Sequence, residues 1–312
     1  MPIIIPKEIP AYNTMLNEKI FVMTEARAIG QDIRPIEIAI LNLMPTKIET
    51  ETQLVRLLSN SPLQINLTLL NAATHQSKNT SQSHLDKFYK NFDKIKNQNF
   101  DGMIITGAPV ETLAFEKVDY WEELKQIMDF ADKNVTSTMF LCWGAQAALY
   151  YYFGVNKCKL PKKLFGVFAH SRACEEYEPL LKGLDDVFYI PHSRYTGLEE
   201  KVYQNKKLTI LACGTETGPA IIKSKDNKKF FLTGHSEYDR ETLNNEYKRD
   251  LKKGIRTQAP KNYFSDGAKT KINFNWSASA NLIFSNWLNY YVYQVTPYEI
   301  FEISKNKKEV GK

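Results

Sequence analysis

Met139-Phe140-Leu141-Cys142-Trp143-Gly144-Ala145-Gln146 decides how this chain is built. An apolar run ends on a cysteine and passes at once into Trp-Gly-Ala-Gln and an alanine-rich, helix-favouring stretch. The pattern reads as a buried strand turning sharply into a helix, with a thiol at the bend. The sulfur then lies at the carboxyl edge of a sheet and at a helix N-terminus, where the macrodipole favours negative charge. Gly144 lets the backbones approach closely in the turn. A cysteine so placed is either a nucleophile or a buried structural residue. Its own context leaves both readings open.

Outward from this elbow, strands alternate with helices. Residues 36–43 form an apolar strand signal ended by Met44-Pro45, and Thr46 with Glu49 spells a capping box that opens a helix. Residues 63–70 read as a second strand, 72–83 as a polar loop, 101–107 as a third strand and 120–133 as a helix. The expected fold class is α/β, a mostly parallel sheet flanked by helices. The second half is richer in strands, at 187–190, 208–213, 219–222 and 230–233. An amphipathic helix at 240–253 and an aromatic closing helix at 277–291 follow. Residues 1–34 read as an irregular arm packing on the core, 35–300 as a single domain and 301–312 as a polar tail. In open α/β sheets, sites form beyond the carboxyl ends of strands. Gly107, Cys142 and Gly234 all fall at such ends.

Composition narrows the partners. The 312 residues are 43% hydrophobic and 24% charged, as in ordinary globular proteins. No run approaches the roughly 18 apolar residues of a membrane span, and the proline-broken N-terminus does not read as a signal peptide. Cys142, Cys158, Cys174 and Cys213 show neither CxxC pairing nor zinc-type spacing, which suits a reducing cytoplasm and argues for no metal. The net charge of +6 is spread along the chain. It would help attract a polyanionic cofactor such as a nucleotide or coenzyme A. No nucleic-acid motif, Walker loop or G-x-G-x-x-G is present, so neither nucleic acid nor a membrane is an expected partner.

A reactive thiol needs a base, and the base needs an orienting group. Of five histidines, His75 and His84 fall in the polar loop. His235 follows an apolar strand ending in Gly234, at the same sheet edge as Cys142. Glu237 lies two residues on, and in extended backbone the two side chains point the same way. A Cys142-His235-Glu237 triad is the expected assembly. Taken singly, His235 and Glu237 also fit a polar loop residue and its charged neighbour.

Leu141 to Gln146 and Thr233-Gly234-His235-Ser236-Glu237-Tyr238-Asp239 resemble the homoserine O-acyltransferases of methionine biosynthesis, whose core is of the class I glutamine amidotransferase (flavodoxin-like) type. Asn42-Leu43-Met44-Pro45-Thr46-Lys47, Thr106-Gly107-Ala108-Pro109, Pro191-His192-Ser193-Arg194 and the stretch 286–298 extend the resemblance over nearly the whole chain. Ser236 departs from it, standing where the family carries proline. The resemblance implies that Cys142 carries the acyl group of an acyl-CoA co-substrate as a thioester and passes it to L-homoserine. His235 then serves as general base, oriented by Glu237. It also implies that Lys163, Ser193 and Arg249 bind substrate, that no cofactor is permanently bound and that the protein is a homodimer. Without it, Lys163 and Ser193 pass for loop residues.

Acyl transfer requires an oxyanion hole. The backbone N–H of Trp143 is the natural first donor, with a second expected from the loop after Leu43. Glu246, three residues before Arg249 on one helix face, suits the ammonium of a zwitterionic acceptor. Lys47 is a basic candidate for coenzyme A phosphates. Glu111 speaks to the acyl group, since in the family glutamate here suits acetyl and glycine suits succinyl. A carboxylate in the acyl pocket would fill the space of two methylenes. It would also repel a terminal carboxylate at about 4 Å by roughly 4 kcal/mol at an effective dielectric near 20. Acetyl transfer is the expectation. Succinyl transfer is the alternative within the family, and a glutamine amidotransferase-like cysteine hydrolase the alternative outside it.

Overall fold

Alternation inside the apolar runs builds a sheet buried on both faces. The computed structural model describes residues 3–18, 22, 24, 34–74 and 79–305. The first half contains β1 (Ile3–Ile4), α1 (Pro10–Asn17), β2 (Ile36–Leu41), α2 (Lys47–Ser59), β3 (Ile65–Leu70), α3 (Gln82–Phe88) and β4 (Tyr89–Lys90). It continues with β5 (Phe100–Ile105), α4 (Trp121–Asn134), β6 (Val135–Leu141) and α5 (Trp143–Phe153). The second half adds β7 (Lys157–Arg172), β8 (Val187–Leu198), β9 (Leu208–Gly214), β10 (Gly218–Ser224), β11 (Lys229–Leu232), α6 (Thr242–Lys252) and α7 (Ser277–Asn286).

The strands form one sheet in the order β1-β3-β2-β5-β6-β11-β10-β9-β7-β8, with β4 on β3. From β1 to β11 the neighbours are parallel, and from β11 to β8 they are antiparallel. Successive side chains point to opposite faces. Ile38, Ile40, Met139, Leu141, Phe230 and Leu232 therefore pack on one side with Leu54 and Leu58 of α2 and Ile283 and Phe284 of α7. Ala39, Leu41, Phe140 and Phe231 face the other side with Leu124, Ile127, Met128 and Ala131 of α4. The Phe140 and Phe231 rings stack at 5.3 Å. Each fully buried side chain of this size contributes about 1.5–3 kcal/mol, so the strands that carry the site are among the most firmly held.

Several local expectations need correction. The described part of residues 1–34 is not irregular: β1 pairs with β3, and Ile3, Ile5, Ile9, Ala11 and Met15 are buried in the core. The capping box does not form, because Thr46 has ψ 68° and its side chain caps nothing, while Glu49 reaches toward Thr242. His84 is not in a loop but on α3, where its ring nitrogen hydrogen-bonds the buried Glu51 at 3.0 Å; His75 lies outside the described residues. Lys163 and Ser193 are strand residues of β7 and β8, whose long antiparallel pairing is interrupted by a bulge between Lys159 and Leu164. Glu302–Lys305 form one helical turn at the start of the tail.

Candidate active site

Three adjacent parallel strands end together. Ile105 pairs with Phe140, and Leu141 with Leu232, so the residues that follow β5, β6 and β11 meet at one point. Cys142 makes the bend with φ 48° and ψ −115°, a region that side chains rarely enter. Its N–H donates to the Leu232 carbonyl at 2.7 Å and its carbonyl accepts the first helical bond from Gln146. A Cβ on Gly144 would lie 2.5 Å from the Thr106 carbonyl oxygen, so only glycine lets α5 start this close to the end of β5. The sulfur is thereby held at the helix N-terminus, facing the space beyond the sheet.

His235 is the candidate base. Its Nδ1 hydrogen-bonds Glu237 Oε1 at 2.7 Å, and the ring lines the same cavity as the Cys142 sulfur. Burial opposes charge on the ring, but the adjacent Cys142 and Glu237 together push His235 well above the ordinary histidine range. The contact between His235 and Glu237 arises differently from the sequence expectation. Tyr238 N–H donates back to the His235 carbonyl, so the two side chains converge across a turn rather than along extended backbone. Tyr238 stacks on the imidazole at 4.1 Å and 16°, which fixes the ring plane. Ser236 is buried, and its hydroxyl has no hydrogen-bond partner among the described residues.

A cavity of about 340 Å³ opens over the sulfur and brings together Cys142, Trp143, His235, Glu111, Lys163, Ser193, Glu246 and Arg249. Glu237 stands behind His235. Glu111 is half-buried. Its Oε2 accepts from the N–H groups of Tyr195 and Thr196 (2.8 and 3.1 Å) and from the Thr196 hydroxyl (2.9 Å), which pins the carboxylate to β8. Glu246 accepts from the Ser193 hydroxyl at 2.6 Å and the Tyr238 hydroxyl at 2.8 Å. Asp250 binds Lys163 Nζ at 3.0 Å and Arg249 NH2 at 2.8 Å. Burial disfavours its charge, yet these two cations hold the Asp250 carboxyl below the usual range. One wall therefore offers a fixed anion in Glu246, with two cations beside it in Lys163 and Arg249.

Two expectations fail here. The loop after Leu43 is a poor second oxyanion donor, because the Leu43 N–H is taken by Thr106 Oγ1 and the Met44 N–H by Asn42 Oδ1. Gly107 lies beside the elbow, its Cβ position 3.2 Å from Cys142 Cβ. Lys47 turns inward, donating to the Asn42 carbonyl, and burial brings its ammonium down to about 8. Nothing in the sequence reading gave Tyr238, Asp250 or Arg194 a role. Arg194 is buried and donates to the carbonyls of Thr196 and Thr217 and to His192 Nδ1. Its place in Pro191-His192-Ser193-Arg194 was the available signal.

Comparison with known proteins fits this geometry. A family model described as homoserine O-succinyltransferase matches residues 2–298. Homoserine O-acetyltransferase of Clostridium tetani is 56% identical over 306 residues, spanning 97% of this chain and 100% of its own. The protein of that name from Bacillus subtilis is 56% identical over 301 residues, spanning 96% and 99%. Among solved structures, a glutamine amidotransferase from Thermotoga maritima superposes with a TM-score of 0.55 at 10% identity, covering 82% of this chain and 98% of its own. That likeness shows the fold, which is the class I glutamine amidotransferase type. The chain belongs to the homoserine O-succinyltransferase family.

Proposed function

We propose that the protein is a homoserine O-acetyltransferase that moves an acetyl group from acetyl-CoA to the hydroxyl of L-homoserine through a Cys142 thioester. The carrying observation is one cavity lined together by Cys142 and His235, by the pinned Glu111 and by Glu246, Lys163 and Arg249. Relatives at 56% identity along nearly the whole chain, named homoserine O-acetyltransferase, support the acyl group and the acceptor.

With Nδ1–H held by Glu237, His235 Nε2 takes the Cys142 proton as sulfur attacks the thioester carbonyl. The backbone N–H of Trp143 stabilises the tetrahedral oxyanion, with a second donor from the Gly107–Ala108 segment. Collapse expels coenzyme A as its thiolate, which takes the proton from His235 and leaves acetyl-Cys142. Homoserine then binds with its carboxylate on Arg249 and Lys163 and its ammonium on Glu246, positioned by Ser193. His235 removes the hydroxyl proton, oxygen attacks the acetyl carbonyl, and the Cys142 thiolate leaves and takes the proton back from His235, which restores the site.

Acetyl-CoA is thus a co-substrate, and no permanently bound cofactor is needed. Among the described residues, no helix is long and apolar enough to cross a membrane. The four free cysteines suit a cytoplasmic location, and a homodimer is the assembly the family resemblance implies. The test mixes the protein with acetyl-CoA or succinyl-CoA, without and then with homoserine. The expected results are an acetyl adduct on Cys142, absent in Cys142→Ala, and O-acetylhomoserine as main product. Equal or greater use of succinyl-CoA would overturn the acetyl assignment, and full activity without a rapid-quench adduct would overturn the thioester.

A further inference from the structure

The catalytic cavity is too confined for a whole acyl-CoA. With the thioester carbonyl at Cys142, the pantetheine and nucleotide must leave through an opening, and Lys47 is turned into the core. A larger cleft of about 730 Å³ abuts the cavity, and Lys163 and Tyr195 line both. Its floor is the bulged segment of β7, and its rims are Glu216, between β9 and β10, and residues 256–259 beyond α6.

The charges are uneven. Lys162, Lys163, Arg256 and Lys261 line the cleft against a single carboxylate, Glu216. Lys163 belongs to the homoserine wall beside Asp250, and Lys261 pairs with Glu216 at 2.7 Å. Lys162 and Arg256 are exposed and form no ion pair among the described residues, so the cleft retains positive charge for an anion. Phe165, Phe168 and the ring of Tyr195 give it apolar walls beside those cations. Cations around an aromatic-lined groove of this volume suit a ligand with several phosphates, an aromatic base and a flexible amide arm.

We propose that this cleft, through Lys162 and Arg256, binds the phosphorylated nucleotide end of the acyl-CoA, with the pantetheine arm passing Tyr195 and Lys163 to reach Cys142. The inference rests on the acetyl-CoA reading above. The test compares full-length wild type with Lys162→Glu, Arg256→Glu and the double variant, using acetyl-CoA and S-acetyl-N-acetylcysteamine, a thioester that ends before the phosphates. Each reversal should raise KM for acetyl-CoA roughly 10-fold or more, as for one lost charge-assisted hydrogen bond. The ratio of kcat/KM for acetyl-CoA to that for the truncated thioester should fall accordingly, with KM for homoserine unchanged. An unmoved acetyl-CoA KM in the double variant, or a parallel fall with both thioesters, would overturn the assignment. Calorimetric binding of adenosine 3′,5′-bisphosphate, weakened in the double variant, reads the cleft without turnover. Wild type that binds this fragment but turns over neither thioester would count against the activity and not against the cleft.

Discussion

In the parallel half of the sheet, β5, β6 and β11 end side by side, and Cys142 and His235 follow within three residues of a strand end. In the antiparallel half, Ser193 and Lys163 sit along the paired strands β8 and β7, well before either strand ends. The first arrangement concentrates reactive groups at a point where three chains converge. The second spreads contacts along a ribbon, which suits a substrate held by several charges. In the proposed mechanism the reacting groups and the selecting surface are thus built by different strand geometries, with Glu111 as the tie: it follows β5 and is bound by the backbone of β8.

The largest effect should come from the reacting half. Glu237→Gln keeps a hydrogen-bonding shape but removes the charge that, with Cys142, raises His235. In steady-state assays kcat should drop by as much as about 10⁴-fold, as when the orienting carboxylate of a triad is neutralised, with the homoserine KM little changed. A raised KM at constant kcat would break the division between the halves.

Glu111→Gly tests the tie. Removing the carboxylate opens the acyl pocket and ends the like-charge repulsion, so succinyl-CoA should gain roughly 10–100-fold over acetyl-CoA in competition assays. No change in preference would mean that Glu111 only fastens β8.

The smallest effect concerns the ribbon itself. His170 and His192 stack beside Arg194, and their Nε2 atoms lie 3.3 Å apart. Burial pushes His170 down to about 4, with Arg194 adding to it, and drives His192 well below its ordinary value. Unfolding would let both take up protons, so stability contributed by their neutral forms is full above about 6.5 and is lost as pH falls toward 4. The slope is at most about 1.4 kcal/mol per pH unit for each histidine. Urea midpoints of His170→Gln/His192→Gln should fall less steeply than wild type across that window. His235, raised rather than lowered, works in the opposite sense, so the comparison must be with the variant. Parallel slopes would mean that the pair is protonated in the fold.

The parallel half was readable because its information is local. Apolar runs ending in Gly107, Cys142 and Gly234 mark strand ends, and a cysteine before Trp143-Gly144 marks the elbow. The ribbon was not, because Leu160-Pro161-Lys162-Lys163 looks like a loop and is carried into the strand only by the pairing with β8 on either side of its bulge. Glu111 could be singled out by family pattern, but nothing near it announces that its partners are the N–H groups of Tyr195 and Thr196. Glu246 and Arg249 share a face as expected. Yet Arg249 pairs with the adjacent Asp250, while Glu246 is bound by Ser193 and Tyr238. Thr46 and Glu49 show the reverse failure, a sound local motif that loses to contacts with α6.

The backbone at Cys142, with φ 48°, has a further meaning for anyone reshaping this protein. Such a conformation costs on the order of 1–3 kcal/mol for a residue with a side chain and almost nothing for glycine. Under the proposed mechanism, selection for heat resistance alone would therefore drift toward glycine at a position where glycine ends catalysis. Thermostable versions must gain their margin elsewhere, and a screen that scores folding without turnover will enrich inactive proteins.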